Sequence, residues 1–253
     1  MTEDYYTGSF AGLKEFWEEK GKTRSFEKEY SIRLEGIKQI VNNIHIYLQG
    51  RLVLDVGCGP GIAASLFPPN SRVIGLDFSV SMLKNARCRI HSLVQGSAFN
   101  LPFRNSSFDV ITCLFVASDY SDKAGIFYEA HRVLQENGHF LFADYSLRDG
   151  HWKFKRAICP LFGERYNIFL REKTSLLNEM MKAGFEIQET RRIRFRAPFK
   201  LKSYVRSKDE LRKLKIVSLE LWKDLQRCNK NKKIQREFIL IIGTKKDDAN
   251  IKH

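Results

Sequence analysis

An apolar run that ends in closely spaced glycines constrains this 253-residue chain more than any other feature. Residues 51–56 read as a buried parallel strand, because such strands are covered on both faces and are apolar almost throughout. Gly57, Gly59 and Gly61 follow at every second position. Glycine lets the backbone turn sharply and approach a ligand closely, and open α/β sheets bind ligands beyond the carboxyl ends of their strands. The run therefore predicts a ligand site at the end of a first parallel strand.

The spacing of the glycines and two acidic residues narrow the choice of ligand. A dinucleotide-binding fingerprint has the order G-x-G-x-x-G, whereas the glycines here alternate and apolar residues follow Gly61. Asp55 stands at the entrance to the loop, where it would repel a pyrophosphate and attract an ammonium group. A second apolar run ends in Asp77, 20 positions after Gly57, where an acid accepts hydrogen bonds from ribose hydroxyls. These features favour S-adenosylmethionine over NAD.

Several further motifs, in order and spacing, resemble the class I S-adenosylmethionine-dependent methyltransferases. The resemblance is strongest to the branch that includes the ubiquinone and menaquinone C-methyltransferases. The matching segments are LDVGCGPG (54–61), GLDFS (75–79), SML (81–83), LPF (101–103), SFD (107–109), EAHRVL (129–134) and GHFL (138–141). The resemblance implies a Rossmann-like, doubly wound α/β fold with a seven-stranded, mostly parallel sheet and an antiparallel last strand.

Alternating strand and helix patterns support that fold. Strands are predicted near 51–56, 73–77, 93–97, 109–114 and 138–145, with helices near 31–48, 61–67, 79–89 and 122–134. A later helix is predicted from Thr174 to Gly184, with Ser175 as its cap and the glycine as its stop signal. Strands at 185–195 and 236–245 follow, and the resemblance places the last one between the fifth and the sixth.

We expect a single methyltransferase domain over residues 1–253. Its predicted parts are an N-terminal helical cap (1–50), a cofactor-binding half (51–145) and two basic insertions (146–173 and 196–235) that form a lid or substrate region. Residues 1–30 are interpreted as a loop or short helices over the cofactor. Apolar residues at helical spacing within the second insertion predict one amphipathic basic helix.

The resemblance also implies a set of cofactor-binding residues: Tyr6, Asp55, Gly57, Cys58, Gly59, Gly61, Asp77, Phe78, Met82, Ser97, Ala98 and Phe115. The glycine loop would contact the methionine part of the cofactor, and Asp55 would orient the loop and bind the amino group, directly or through water. Asp77 would bind the ribose, while Phe78 and Met82 pack against the adenine. Similar enzymes usually carry Asp where Ser97 stands, so the adenine contact should be weaker by about 1 kcal/mol.

The amino-acid composition limits the cellular compartment and the binding partners that can be expected. Residues 151–253 hold 27 Lys and Arg against 12 Asp and Glu, whereas residues 1–150 are nearly neutral. This asymmetry indicates either an anionic partner or a solvated basic face. The chain has no apolar run of about 18 residues and no apolar signal core at its start, and its five cysteines are scattered. We therefore expect a cytoplasmic protein without a transmembrane segment, a disulfide or a metal site.

The acceptor is the least constrained part of the prediction. The segment 114–120 lacks the N/D-P-P-Y type motif with which related enzymes hold an exocyclic amine of a flipped base. Methyl transfer depends mainly on proximity and needs a base only where the acceptor loses a proton. Asp119 and His151 are the candidates for the base, and Tyr120 and Tyr145 are expected near the mouth of the same pocket as a base or substrate contacts. A small-molecule or lipid-like acceptor is favoured. The alternatives are an RNA methyltransferase that binds phosphates through residues 191–236, a protein methyltransferase, and a cofactor-binding regulator without catalysis.

Overall fold

The computed structural model describes residues 10–158, 169–201, 204–205 and 207–246. Within these ranges the helices are α1 (Phe10–Thr23), α2 (Phe26–Leu48), α3 (Val80–Ala86), α4 (Ala124–Val133), α5 (Gly150–Ile158), α6 (Lys173–Lys182), α7 (Lys208–Val217) and α8 (Leu219–Asn231). The strands are β1 (Leu52–Val56), β2 (Arg72–Asp77), β3 (Ser92–Gln95), β4 (Phe108–Leu114), β5 (Leu134–Tyr145), β6 (Phe185–Pro198) and β7 (Lys233–Lys245). None of the helices so described is both long and apolar enough to cross a lipid bilayer.

Seven strands in the described part of the chain form one sheet in the order β3-β2-β1-β4-β5-β7-β6. Neighbours among β1 to β5 pair in parallel, whereas β7 pairs antiparallel with both β5 and β6. The predicted Rossmann-like sheet is therefore confirmed, including the position of its last strand. Because β1 has β2 on one side and β4 on the other, the crevice beyond its carboxyl end is the switch point at which such sheets bind ligands.

The central strands are buried on both faces. Val53 packs into an apolar cluster with Ile40 and Ile44 of α2, while the next residue, Leu54, packs into a second cluster with Phe127 of α4. All of these side chains are fully buried, and each such burial contributes roughly 1.5–3 kcal/mol to stability. This packing fixes the ends of β1 and β4, which carry the loops described below.

The predicted helix at 61–67 is wrong. Only one 3-10 turn, Ala64–Leu66, forms between β1 and β2. Phe67 and then Pro68 follow the turn, and a proline disfavours helical backbone in the residue before it. Phe67 is accordingly extended, with φ −69° and ψ 158°. The connection therefore crosses from β1 to β2 as a short loop rather than as a helix.

The second insertion is also built differently from the prediction. β6 extends to Pro198 and β7 begins at Lys233, so each strand is three residues longer than predicted. The two strands pair antiparallel along this whole length, and α7 and α8 lie in the segment that connects them. The single predicted helix is two, because Ser218 has extended backbone and caps α8 by accepting a hydrogen bond from the amide of Leu221. Ser175 lies inside α6 rather than at its cap, whereas Gly184 ends the helix with φ +100°, as predicted.

The N-terminal region contains more helix than predicted. Within residues 1–30, α1 alone has 14 residues, and α2 begins at Phe26. Leu13 of α1 is buried, and Gly21 lies so close to Ser81 of α3 that an added Cβ would be 2.6 Å from its Cβ. This close packing places α1 beside the carboxyl ends of the strands. Tyr6 lies outside the described residues.

Candidate functional site

The glycine loop after β1 has a backbone that other residues rarely adopt. Gly57, Gly59 and Gly61 have φ values of +67°, +52° and +76°, in the left-handed region where glycine alone is free of steric cost. A Cβ at Gly57 would be 2.3 Å from a methyl carbon of Val116, which follows β4. The loop therefore lies directly against the next strand end and turns its backbone towards the space between them.

Asp77, the last residue of β2, holds this loop in place. Its Oδ2 accepts a hydrogen bond from the amide of Gly59 at 2.9 Å, and its Oδ1 accepts one from the amide of Ser79, also at 2.9 Å. Burial raises the pKa of Asp77 to about 6, although these two hydrogen bonds oppose the rise. Each carboxylate oxygen has a further lone pair, so the group retains acceptor capacity for a ligand in the cleft.

A cleft opens at these strand ends and spans about 560 Å³, including its mouth. Its lining residues are Trp17, Tyr30, Gly57, Gly59, Leu76, Asp77, Phe78, Met82, Gly96, Ala98, Leu114, Phe115, Val116, Asp119 and Tyr120. One side of it is apolar, formed by Leu76, Met82 and Ala98, all of which are buried. A flat apolar ring fits beside such side chains, and the adjacent carboxylate fits a pair of hydroxyls.

The mouth of the cleft is formed by the residues after β4. Phe115 has φ +63°, a strained conformation for a bulky residue that occurs mainly where function requires it. Its ring centroid lies 5.2 Å from that of Tyr145 and 4.6 Å from that of Phe238. These aromatic contacts hold Phe115 at the cleft wall and offset the backbone strain.

Asp119 lines the same mouth and lies in a 3-10 turn, Ala117–Asp119. Its Oδ2 accepts a hydrogen bond from the indole N–H of Trp17 at 3.0 Å. Burial raises the pKa of Asp119 to about 7, against the lowering effect of that bond. Lys123 fixes the turn, because its Nζ donates to the carbonyls of Ala117 and Tyr120 at 2.5 and 2.6 Å. The Asp119 carboxyl group is therefore fixed in position by hydrogen bonds and has a pKa near neutral pH.

Helix α1 closes one side of the cleft through side chains that sequence reasoning did not assign to the site. Glu18 accepts hydrogen bonds from the hydroxyls of Ser79 and Ser81, at 2.8 and 2.5 Å, at the start of α3. Trp17 lines the cleft, and Glu18 fastens α1 to α3 beside it; we call these two residues the α1 wall. The opposite side, the strand-end wall, comprises Gly57, Gly59, Asp77 and Val116. The only signal for the α1 wall was the aromatic composition of residues 1–30.

Five of the predicted cofactor-binding residues and base candidates within the described part of the chain lie outside the cleft lining, and three of them belong to β1 and the glycine loop. Asp55 is buried beneath the loop, where its Oδ1 accepts a hydrogen bond from the Thr112 hydroxyl at 2.7 Å, and burial raises its pKa to about 7. Cys58 is buried under the loop against Gly75, and Gly61 packs against Ile90. Asp55 is therefore bonded to β4, and its role in orienting the loop stays a prediction.

Ser97 and His151 also lie outside the cleft lining. The Ser97 hydroxyl accepts a hydrogen bond from the amide of Phe99 at 3.2 Å, and the neighbouring Gly96 and Ala98 line the cleft instead. His151 lies on α5, with its Nδ1 2.7 Å from the Tyr204 hydroxyl. Burial, together with the charges of Arg236 and Lys155, lowers the pKa of His151 well below its usual value. Of the two base candidates, only Asp119 lines the cleft.

The donor set of the cleft fits S-adenosylmethionine. Asp77 offers acceptor oxygens for the ribose hydroxyls, Leu76, Met82 and Ala98 form a slot for the adenine, and the loop backbone at Gly57 and Gly59 faces the space left for the methionine part.

Comparisons with known proteins agree with this geometry. A family model described as a methyltransferase domain matches residues 54–142. The demethylmenaquinone methyltransferase of Lactiplantibacillus plantarum is 31% identical, over 63% of this chain and 80% of that protein. An uncharacterized protein of Methanocaldococcus jannaschii is 28% identical, over 68% of this chain and 67% of that protein. The solved structure of the YcgJ protein from Bacillus subtilis is 21% identical and matches 84% of this chain and 99% of its own, with a TM-score of 0.62. The chain therefore belongs to the class I S-adenosylmethionine-dependent methyltransferases.

Proposed function

We propose that the cleft binds S-adenosylmethionine and that the methyl group passes to a small-molecule or lipid-like acceptor at the mouth beside Asp119. The observation that carries the proposal is the buried carboxylate of Asp77, bonded to the amide of Gly59 at the edge of the apolar slot. When bound, the cofactor supplies an activated methyl group on a sulfonium. The protein's own residues then bind, orient and exclude water, since alignment is most of what this displacement needs.

Asp119 is the residue in the cleft that we propose as the base. For an oxygen or nitrogen acceptor, its carboxylate takes the proton that the acceptor loses as the new bond to carbon forms. A base is most useful when its pKa lies near the working pH, and the pKa of about 7 meets that condition. Trp17 and Lys123 keep the carboxyl group at the mouth.

The acceptor class is supported by the walls of the mouth and by one relative. Trp17, Phe115 and Tyr120 present aromatic rings to the cleft, and aromatic walls favour apolar or ring-bearing molecules. The relative in Lactiplantibacillus plantarum is named for a demethylated menaquinone. A lipid-like acceptor is consistent with both.

RNA as the acceptor is the second candidate, and one observation favours it. Arg192, Arg194 and Arg196 are exposed on one face of the edge strand β6, alternating with buried Ile193 and Phe195. Such a row can follow a phosphate backbone. Incubation with radiolabelled S-adenosylmethionine and either a lipid extract or total RNA separates the two: we expect label in the lipid fraction, and label in RNA would reverse the choice.

Calorimetric titration tests the cofactor site. We expect Asp77→Asn to weaken binding of S-adenosylmethionine and S-adenosylhomocysteine by about 5- to 150-fold, the equivalent of about 1–3 kcal/mol for a hydrogen-bonded charge. Asp109→Asn is the matched control, because Asp109 also accepts a backbone N–H (that of Leu52, at 2.8 Å) but stands at the start of β4. Equal affinity in the Asp77 variant and the parent protein would remove Asp77 from the site.

A further inference from the structure

Helices α7 and α8 meet in a corner whose apolar side chains face solvent. The exposed fractions are 85% for Ile216, 61% for Val217 and 49% for Leu219. The other large apolar residues that are exposed in the described part of the chain stand singly on four different helices; they are Ile46, Val80, Tyr128 and Met181. We call Ile216, Val217 and Leu219 the apolar corner. A contiguous apolar group of this kind marks an interaction site more often than scattered single residues do.

The apolar corner is held in shape by the rest of the two helices. Leu214 of α7 and Leu225 of α8 are fully buried in the main apolar cluster. Ser207 and Ser218 cap the helices, because their hydroxyl oxygens accept hydrogen bonds from the amides of Glu210 and Leu221. The position of the apolar corner is therefore fixed by the packing of α7 and α8. Its residues lie on the solvent side of these helices, and the opposite helix faces pack into the core.

Basic residues outnumber acidic ones on α7 and α8, although the exposed Glu220 stands next to Leu219. Arg212, Lys213, Lys215 and Lys223 are all exposed, and the Nζ of Lys215 lies 4.9 Å from the centre of the Trp222 ring. Residues 191–236 as a whole hold 17 Lys and Arg against 4 Asp and Glu. Apolar residues at a tip with cations around them are the pattern of proteins that bind the surface of an anionic bilayer, since the cations meet headgroups while the tip enters the acyl boundary.

We propose that the apolar corner docks this enzyme on an anionic phospholipid bilayer. Ile216 and its neighbours would enter the interface, and the surrounding cations would contact the phosphates of the headgroups. Three side chains are too few for a stable protein interface, which buries about 800 Å² on each partner. RNA has no apolar surface in which three aliphatic side chains could be buried. In a dimer of this chain, Lys213 and Lys215 would face the same lysines of the second copy, and the like charges would repel each other. The surface lies outside the cleft, so the proposal does not depend on which acceptor is methylated.

Co-sedimentation with vesicles tests the proposal. The parent protein should bind vesicles of phosphatidylcholine with phosphatidylglycerol at least tenfold more tightly than vesicles of phosphatidylcholine alone. The double variant Ile216→Ser, Val217→Ser should lose at least tenfold in affinity for the anionic vesicles. Ile46→Ser is the matched control, because Ile46 is exposed to 78% but stands alone on α2, and it should bind like the parent.

Two further readouts separate docking from folding and from the cofactor site. Equal urea unfolding midpoints for the variants and the parent would establish that exposed substitutions leave the fold intact. Calorimetric binding of S-adenosylmethionine without vesicles should be the same in all three proteins, so a failed cofactor site and a failed docking surface give different results. Equal vesicle binding by the double variant and the parent, or binding by neither, would overturn the proposal.

Discussion

The two walls of the cleft are held by different kinds of interaction. The strand-end wall rests on backbone geometry: glycines at positive φ, amides bonded to Asp77, and strand ends anchored in the buried sheet. The α1 wall rests on side-chain hydrogen bonds, from Trp17 to Asp119 and from two serines to Glu18. The strand-end wall is therefore set by backbone geometry, whereas the position of α1 depends on side-chain contacts: these hydrogen bonds, the buried Leu13 and the close packing of Gly21 on Ser81.

Gly57→Ala should break the strand-end wall and have the largest effect. The new Cβ would meet Val116 at 2.3 Å, and a β-branched neighbour cannot turn aside freely. Positive φ adds about 1–2 kcal/mol and overpacking about 1–3 kcal/mol. We expect a loss of about 2–5 kcal/mol in the free energy of unfolding, measured in urea, together with loss of cofactor binding.

Gly50→Ala isolates the contact with Val116 from the backbone effect. Gly50 also has positive φ, +72°, but the nearest atom to an added Cβ is 4.0 Å away. Its variant should lose only the backbone contribution, about 1–2 kcal/mol. Equal destabilisation of the two variants would mean that the strand-end wall is not closely packed.

The pH dependence of the free energy of unfolding tests the protonation of Asp119, the residue to which Trp17 of the α1 wall is bonded. The pKa of Asp119 is raised from 3.8 to about 7 in the folded protein. Between these values the folded state holds a proton that the unfolded state has lost, so this group stabilises the fold at low pH, and that contribution is lost as pH rises through 7. Asp119→Asn removes the titration. The stability of the variant relative to the parent should rise by up to about 1.4 kcal/mol per pH unit between pH 4 and 7.

Urea unfolding at intervals of one pH unit measures this difference, and the other titrating groups cancel in it. The difference in the free energy of unfolding between the variant and the parent should increase up to about pH 7 and then stay constant. Parallel curves for the two proteins would show that Asp119 is ionised throughout and solvated at the mouth.

Glu18→Gln should loosen the α1 wall alone and have the smallest effect. Hydrogen bonds from Ser79 and Ser81 hold the Glu18 carboxylate, and an amide nitrogen cannot accept them. Loss of one such bond costs about 1 kcal/mol, so S-adenosylmethionine should dissociate about fivefold faster in stopped-flow measurements. Hydrogen exchange of the α1 amides should quicken by a similar factor.

Glu19→Gln provides the comparison within the same helix, because Glu19 is exposed and, within the described part of the chain, its backbone carbonyl rather than its side chain accepts a hydrogen bond, that from the Thr23 hydroxyl. Dissociation should be unchanged in this variant. A similar acceleration in both variants would mean that helix charge, and not the contact with α3, retains the cofactor.

The amino-acid sequence by itself determined the sheet and the strand-end wall. Their signals are local: an apolar run marks β1, and glycines beyond it mark a backbone with positive φ at Gly57 and Gly59. Asp77 is readable for the same reason, because an acid that ends a parallel strand must lie at the same edge of the sheet. Such features depend on a few neighbouring residues, and so a motif records them.

Tertiary structure alone decided the α1 wall, whereas the missing helix at 61–67 and the break at Ser218 have local causes, Pro68 and a serine cap, that the apolar pattern concealed. Trp17 and Asp119 are 102 positions apart, and nothing near either residue indicates the partner. Contacts of this kind depend on how packed helices and strands approach one another, and that approach is set by the whole core rather than by any local run of residues.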